Sequence, residues 1–460
     1  MSGEGARLDK KQIRKEILAL IIPVILESIF TYLAEIVSAG FVGRLTGMAV
    51  TSQGIVIRVI SLLNVVWSGI RIGSMVYYVR LYGERKYKEL KQGYQNIITI
   101  TLGIAFVFIL VLALFPTQVL SFFVDDSEIL EAARSYLYIM LLGLPFNVIH
   151  RLNGACYNAM GDTRTPMFMQ VLNNIINIIC GYTFIFAMNM DLIGAGLATI
   201  IAQISGGIIG TFLLYRKPAF REAGLTSFKL KDRESIKETF LKAIPVAVED
   251  GAWQLSAIFM SKIILTYGSN AYAGFSLGGS AELFTELPVI GFTVAATALA
   301  GKAKGEKNGP LFREYFRQQM WMNAIISGIG GLVMIFAPYA LMRAVTDIPE
   351  LMEIGKYYLI VMGVIYIPQN VQRTMKGTIY GSMGNTKAPM FIAMIGIWLF
   401  RIPLAALSAY VFHAPLIFIW IVIAVDQVAR FLLMYLYMRK KRVLQCVEVI
   451  AEGNAEPQHV

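Results

Sequence analysis

The hydrophobic and polar positions of this chain fall into long blocks, with apolar runs of about twenty residues separated by short clusters of Lys, Arg, Asp, Glu, Gly and Pro. Twelve runs stand out, at approximately 17–41, 54–80, 93–115, 131–157, 166–189, 193–215, 240–266, 276–300, 318–340, 353–381, 390–411 and 415–438. A helix of about twenty apolar residues crosses roughly 30 Å of hydrocarbon and satisfies its own backbone hydrogen bonds. The block pattern therefore predicts an all-α integral membrane protein with twelve transmembrane helices.

The blocks repeat. Pro23 and Glu27 correspond to Pro245 and Glu249 at an offset of 222, as do Gly69 and Gly83-Glu84-Arg85 to Gly291 and Gly305-Glu306-Lys307. Pro145 and Gly154 correspond to Pro368 and Gly377 at an offset of 223. At that same offset Gly161-Asp162-Thr163-Arg164-Thr165-Pro166-Met167 corresponds to Gly384-Asn385-Thr386-Lys387-Ala388-Pro389-Met390. Each repeat holds six spans, an even number, so both halves enter the membrane in one orientation and are related by an axis along its normal. The predicted organisation is an N-terminal six-helix lobe over 1–222, a cytoplasmic linker over 223–239, and a C-terminal six-helix lobe with a tail over 240–460, around a central cleft. Within the repeated turn, glycine permits positive φ, Asp162 or Asn385 can close an Asx-turn, and proline suits the first turn of a helix.

Charge placement sets the orientation. Of the 41 Lys and Arg, 29 lie in the N-terminal segment and the loops on its side, ten lie inside spans, and only Arg44 and Arg343 lie in the opposite loops. The positive-inside rule then puts both termini in the cytoplasm. Asp125, Asp126, Glu128, Asp347, Glu350 and Glu353 fall outside. The basic segment 1–16 runs into the first span without a small-residue cleavage site, so that span is expected to direct insertion.

Composition agrees with the pattern: 56% of the 460 residues are hydrophobic, 15% are charged and the mean hydropathy is +0.61. The net charge of +11 follows from membrane orientation, not from a nucleic-acid surface. Cys156, Cys180 and Cys446 are too scattered for a disulfide framework or metal pair and are expected in packing roles. No Gly-x-x-x-x-Gly-Lys-Ser/Thr loop is present, so direct ATP hydrolysis is not expected. An acyl or glycosyl transferase would need a convergent catalytic set, and the histidines, His150, His413 and His459, show no nucleophile–base spacing. A non-enzymatic transporter without cofactors is the expected class.

Four segments carry a resemblance: Phe41-Val42-Gly43-Arg44-Leu45, Gly161 to Pro166, Gly194-Ala195-Gly196-Leu197-Ala198-Thr199 and Thr293-Val294-Ala295-Ala296-Thr297-Ala298-Leu299-Ala300-Gly301. In this order, on a duplicated twelve-span frame, they resemble the multidrug and toxic compound extrusion (MATE) transporters of the multidrug, oligosaccharidyl-lipid and polysaccharide exporter superfamily. The resemblance implies alternating-access antiport of cationic or amphipathic organic compounds against Na⁺ or H⁺. The closed two-lobe frame favours a monomer; the expected place is the cell membrane, with small molecules and membrane lipid as partners and, from the charge placement, no nucleic acid. The alternative within the superfamily is a flippase for lipid-linked saccharides, for which Arg58, Arg71, Arg373 and Arg401 would hold phosphates.

Ionisable groups inside a bilayer are costly and mark function by default. The candidates for cation coupling or substrate binding are Glu35, Ser38, Asn173, Asn177, Glu249, Asp250, Glu282 and Glu286. Glu27 and Glu249 follow matching prolines and could equally be scaffold. Gln170, Asn173, Asn174 and Asn177 share a broad face of the fifth helix, where amides can also simply join helices. Asp426 and Arg430, spaced i, i+4, read as an intrahelical salt bridge. Glu282 stands six residues before Pro288, as the resemblance leads one to expect, with Glu286 one turn on as a potential proton-sharing partner. Two family positions depart. Some members carry an aspartate four residues after the asparagine of the fifth helix, but Asn177 is followed there by Gly181. The usual first-helix aspartate is here Ser38; Glu35, one turn earlier, is the expected substitute, with Thr31 and Ser38 as hydroxyl partners.

Overall fold

A computed structural model describes residues 10–124, 126–224 and 233–445. Asp125, Cys446, His459 and residues 225–232 of the expected linker, Lys231 among them, lie outside the described residues. The described chain is helical, without a strand. In order, the long helices are α1 (Lys10–Val42), α2 (Gly47–Gly83), α3 (Tyr87–Leu114), α4 (Ser127–Ala159), α5 (Arg164–Ala187), α6 (Asp191–Tyr215), α7 (Arg233–Leu265), α8 (Ser269–Gly305) and α9 (Gly309–Phe336). They are followed by α10 (Pro349–Val364 and Tyr366–Met383), α11 (Lys387–Val411) and α12 (Ile417–Lys440). Each predicted span overlaps one of these.

Ten of the helices are individually long and apolar enough to cross a membrane, and α10 adds an eleventh if its two pieces count as one span. Only α7 falls short of that criterion: Glu249 and Asp250 interrupt its apolar run, although its 33 residues are ample in length. The break in α10 has a local cause. Pro368 has no N–H and its ring crowds the carbonyl four residues back, at Val364, where the first piece ends and the helix bends by 57°. The helices expose large apolar side chains such as Phe106, Leu114, Trp321, Ile329 and Leu399, as lipid-facing surfaces should.

Packing divides the described chain inside α1 and α7, each time shortly after the matched proline. One compact unit runs from Leu26 to Ala247; the other joins the start of α1, up to Ile25, to Val248 and the helices that follow. Within the first unit, Gly69 and Gly73 of α2 lie against Ala243 and Ala247 of α7, where a Cβ on Gly69 would sit 2.7 Å from the Ala243 carbonyl. Within the second, Gly291 of α8 lies against Ile21 of α1, and Ile13, Ile17 and Ile21 join Val289, Phe292, Leu299 and Phe312 in one apolar cluster. Gly291 and Ile21 are the repeat counterparts of Gly69 and Ala243.

The repeated turn forms as the sequence predicts. Gly161 and Gly384 have φ of 75° and 63°. Asp162 accepts from the Thr165 N–H at 3.0 Å and hydroxyl at 2.6 Å, while Asn385 accepts from the N–H groups of Lys387 and Ala388 at 3.0 and 3.2 Å. Asp162 also pairs with Lys217 at 2.5 Å. Partial burial pushes its carboxyl up, but the bonds from Lys217 and Thr165 outweigh this and hold it below the ordinary aspartate value.

Candidate functional site

In the unit from Leu26 to Ala247 the mid-helix polar residues are tied chiefly by neutral hydrogen bonds. Ser38 of α1 donates to Asn177 Oδ1 of α5 at 2.9 Å, and Asn177 Nδ2 donates to Thr199 of α6 at 3.2 Å. One chain of amide and hydroxyl groups thus links three helices. It occupies the position where the resemblance leads one to expect a carboxylate, while Gly181 packs against the Phe41 ring. Asn173 is buried against Gly206, with Oδ1 free of hydrogen bonds, and Gln170 bridges His150 and Asn174 at 3.1 Å to each. Glu27 lies in the field of Arg71. Arg151, which the sequence reading passed over, donates to Asn147 at 2.8 Å and Asn64 at 3.1 Å.

Glu35 is exposed on α1. Its expected hydroxyl partners are engaged elsewhere: Thr31 donates to the Glu27 carbonyl at 2.8 Å and Ser38 to Asn177. Thr31 cannot reach forward because a helical hydroxyl bonds most readily to the carbonyl one turn behind it.

The unit from Val248 onward is charged. Glu282 of α8 is 7% exposed and accepts from the Tyr358 hydroxyl at 2.7 Å and from Gln369 Nε2 at 3.0 Å, both on α10. Glu286, one turn along, pairs with Arg373 of α10. The two glutamates therefore face separate partners and share no hydrogen bond. Glu249 of α7 pairs with Lys376 at 2.5 Å, and Asp250 lies in the field of the same ammonium. Asp426 of α12 holds Arg430 through both oxygens at 2.9 and 3.0 Å and Arg401 of α11 at 2.8 Å. Both guanidinium groups lie over the Trp253 ring, with Cζ 4.7 and 4.6 Å from its centroid. A π-helical segment of α11, Ile395–Arg401, carries Arg401, and its Gly396 leaves the space Asp426 and Arg430 fill.

At mid-helix this unit sets five carboxylates (Glu249, Asp250, Glu282, Glu286 and Asp426) against four cations (Arg373, Lys376, Arg401 and Arg430). Glu282 takes its hydrogen bonds from neutral donors, Tyr358 and Gln369. A carboxylate so placed takes a proton or an external cation at low cost, because no resident positive charge has to leave. Arg373 and Arg401, two of the four arginines of the phosphate-binding alternative, are both engaged by carboxylates.

Sequence reasoning missed Lys376, Tyr358, Gln369 and Trp253. A signal existed for two of them: Gln369, Arg373, Lys376 and Tyr380 recur at intervals of 4, 3 and 4, one face of a helix. Tyr358 and Trp253 look like ordinary apolar positions in sequence, and only packing gives their polar atoms or π-faces a charged neighbour.

The MatE family model matches residues 23–183 and again 245–407. A relative named probable multidrug resistance protein NorM, from Thermotoga maritima, is 28% identical over 93% of this chain and 92% of its own length. Another, probable multidrug resistance protein YoeA of Bacillus subtilis, is 21% identical over 95% and 97%. Among solved structures, the Vibrio cholerae MATE transporter VcmN in the bent form superimposes with a TM-score of 0.87 at 19% identity, covering 96% of this chain and 99% of that one, a likeness of fold. With one match on each half, beginning at the paired residues Pro23 and Pro245, this chain belongs to the MatE family of membrane transporters.

Proposed function

We propose that this protein exports small cationic or amphipathic organic compounds across the cell membrane in exchange for Na⁺ or H⁺, by alternating access, as a monomer with both termini in the cytoplasm. The multidrug names of its relatives support the substrate class. The observation that carries the coupling is Glu282: a buried carboxylate on neutral donors in a unit where the mid-helix carboxylates Glu249, Glu286 and Asp426 have cationic partners. Coupling needs one group that can be empty or loaded in a low-dielectric interior, and Glu282 satisfies that need. Glu35 adds an exposed carboxylate that attracts cationic substrate. Ser38, Asn173 and Asn177 supply neutral polar lining in the other unit.

The test is efflux of a fluorescent organic cation from cells expressing the protein, with inward Na⁺ and H⁺ gradients imposed one at a time. One gradient should accelerate efflux several-fold over cells lacking the protein. Equal dye retention in both cell types under either gradient would overturn the proposal.

A further inference from the structure

The unit that joins the start of α1 to α8 and α9 carries a second polar feature, at the end of α9 that precedes its apolar run. A pocket of about 300 Å³ opens there between α1 and α9, lined by Lys10, Arg14, Arg317, Gln318 and Trp321. One face of α1 is fastened: Ile13 and Ile17 bury in the cluster of Leu299 and Phe312, which turns Lys10 and Arg14 to the open side.

The two arginines are held in place. Arg14 Nε donates to Gln318 Oε1 at 2.7 Å, Gln318 Nε2 donates to Glu314 Oε1 at 2.6 Å, and Arg317 Nη2 pairs with Glu314 Oε2 at 2.6 Å. Gln318 is 4% exposed, so a buried amide orders the guanidinium groups at the surface. One carboxylate does not balance three cations, and Glu314 does not line the pocket, which therefore keeps an excess of positive charge. Among the described residues Arg14 uses only Nε, and the Arg317 side chain stays 54% exposed, so planar N–H edges remain open to an oxyanion.

The repeated frame does not require this charge. At the offset of 222 the first unit has Ile236 where Arg14 stands, and Gln95, Asn96 and Thr99 where α9 has Arg317, Gln318 and Trp321. A scaffold role would recur in both units, whereas the cations and the indole belong to one.

Trp321 decides the kind of anion. Its side chain is exposed one turn beyond Arg317, and Ile325, Ile329, Leu332 and Phe336 continue that exposed face along α9 at intervals of 4, 4, 3 and 4. Tryptophan in such a place marks the membrane interface, with the acyl region along the apolar stripe beyond it.

We propose that this pocket binds the phosphate of an anionic phospholipid. Arg14 and Arg317 hold the phosphate oxygens, Lys10 adds charge, and Trp321 with the stripe beyond it carries the glycerol and one acyl chain. The shared chemistry is a phosphate oxyanion, which soluble phosphate also offers; the indole and the apolar stripe assign it to lipid. The site takes an anion, so it stands independently of which carboxylate couples transport.

The test uses the full-length protein in dodecyl maltoside micelles, titrated with phosphatidylglycerol or phosphatidylcholine brominated on the acyl chains. Quenching of Trp321 is read as the difference between wild type and Trp321→Phe. Phosphatidylglycerol should quench with a midpoint at least about tenfold below that of phosphatidylcholine, and equal midpoints overturn the proposal. A large excess of inorganic phosphate, at matched ionic strength, should leave the phosphatidylglycerol curve in place; displacement of the lipid would assign the pocket to a soluble anion and contradict the lipid site. Arg14→Gln combined with Arg317→Gln should raise the phosphatidylglycerol midpoint at least about tenfold. Arg439→Gln combined with Lys440→Gln removes the same charge at the exposed end of α12 and should leave the midpoint unchanged. Equal weakening in the two double variants would reduce the effect to net charge and refute the site. Because the lipid comparison is made on the wild-type pocket, a double variant that fails to fold does not remove the test.

Discussion

The two units are built on one frame and differ in what they hold inside it. The repeat places Asn64 opposite Glu286, His150 opposite Arg373, Asn153 opposite Lys376 and Gln203 opposite Asp426. At each of these positions the first unit has an amide or imidazole and the second a formal charge. Asn153 accepts from Tyr94 and donates to Thr211 at 3.1 Å, whereas Lys376 holds a carboxylate. Neutral ladders join helices at low energetic stake. Buried ion networks are costly to assemble and more costly to break, so they persist where their charge is used. The comparison teaches that duplication preserved the scaffold while close carboxylate–cation pairs at mid-helix were set into the second half.

Removing one member of the ion network is the strongest way to break this contrast. Asp426→Asn leaves two buried guanidinium groups without their anion and should lower stability by about 3–5 kcal/mol, read as thermal unfolding of the purified protein in detergent. Gln203→Leu, at the matching position, should cost far less.

Packing differs between the units as well. A Cβ on Gly377 would lie 2.4 Å from the Thr293 carbonyl, whereas its counterpart Gly154 has nothing within 4 Å. Gly377→Ala should therefore destabilise by about 1–3 kcal/mol through overpacking, and Gly154→Ala should be neutral or slightly stabilising. Equal shifts in the two unfolding midpoints would show that the halves pack alike here.

The amide ladder should yield little. Ser38→Ala removes one interhelical hydrogen bond, worth about 0.6 kcal/mol in a membrane protein, and should leave gradient-dependent efflux in place.

The smallest effect concerns the repeated turn. The Asp162 carboxyl sits below its ordinary value in the folded chain, so its contribution is present above the unfolded-state value and is lost as pH falls through the lower folded one. Asp162→Asn should flatten the acid side of a stability–pH curve. Asn385→Ala, in the turn that carries no carboxylate, should shift the acid side of the curve without changing its shape.

These contrasts also mark what the sequence could convey. The spans, the repeat and the Gly-Asx-Pro turns were legible because backbone requirements are local: an apolar run, a positive φ, a missing N–H. Asp426 with Arg430 was legible because the i, i+4 interval brings the two together within one helix. Lys376 with Glu249, and Tyr358 with Glu282, were not, since nothing local ties α10 to α7 or α8. Nor was the broken α10. Pro145 sits in an uninterrupted α4, while the matching Pro368 ends a helix segment; five residues before it stands Gly363, closely packed on Gly331, where the first half has Met140. The same proline gives a different backbone because its neighbours differ.

The central claim is that Glu282 couples ion to substrate, and the direct measurement is gradient-driven uptake of a fluorescent cation into proteoliposomes by wild type, Glu282→Gln and Glu35→Gln. Glu282→Gln keeps the side-chain volume and removes the charge, so it should retain folding and lose at least about tenfold of gradient-stimulated transport. Glu35→Gln should weaken apparent substrate affinity while preserving the response to the gradient. A well-folded Glu282→Gln protein with wild-type rates and an unchanged ion dependence would contradict the account.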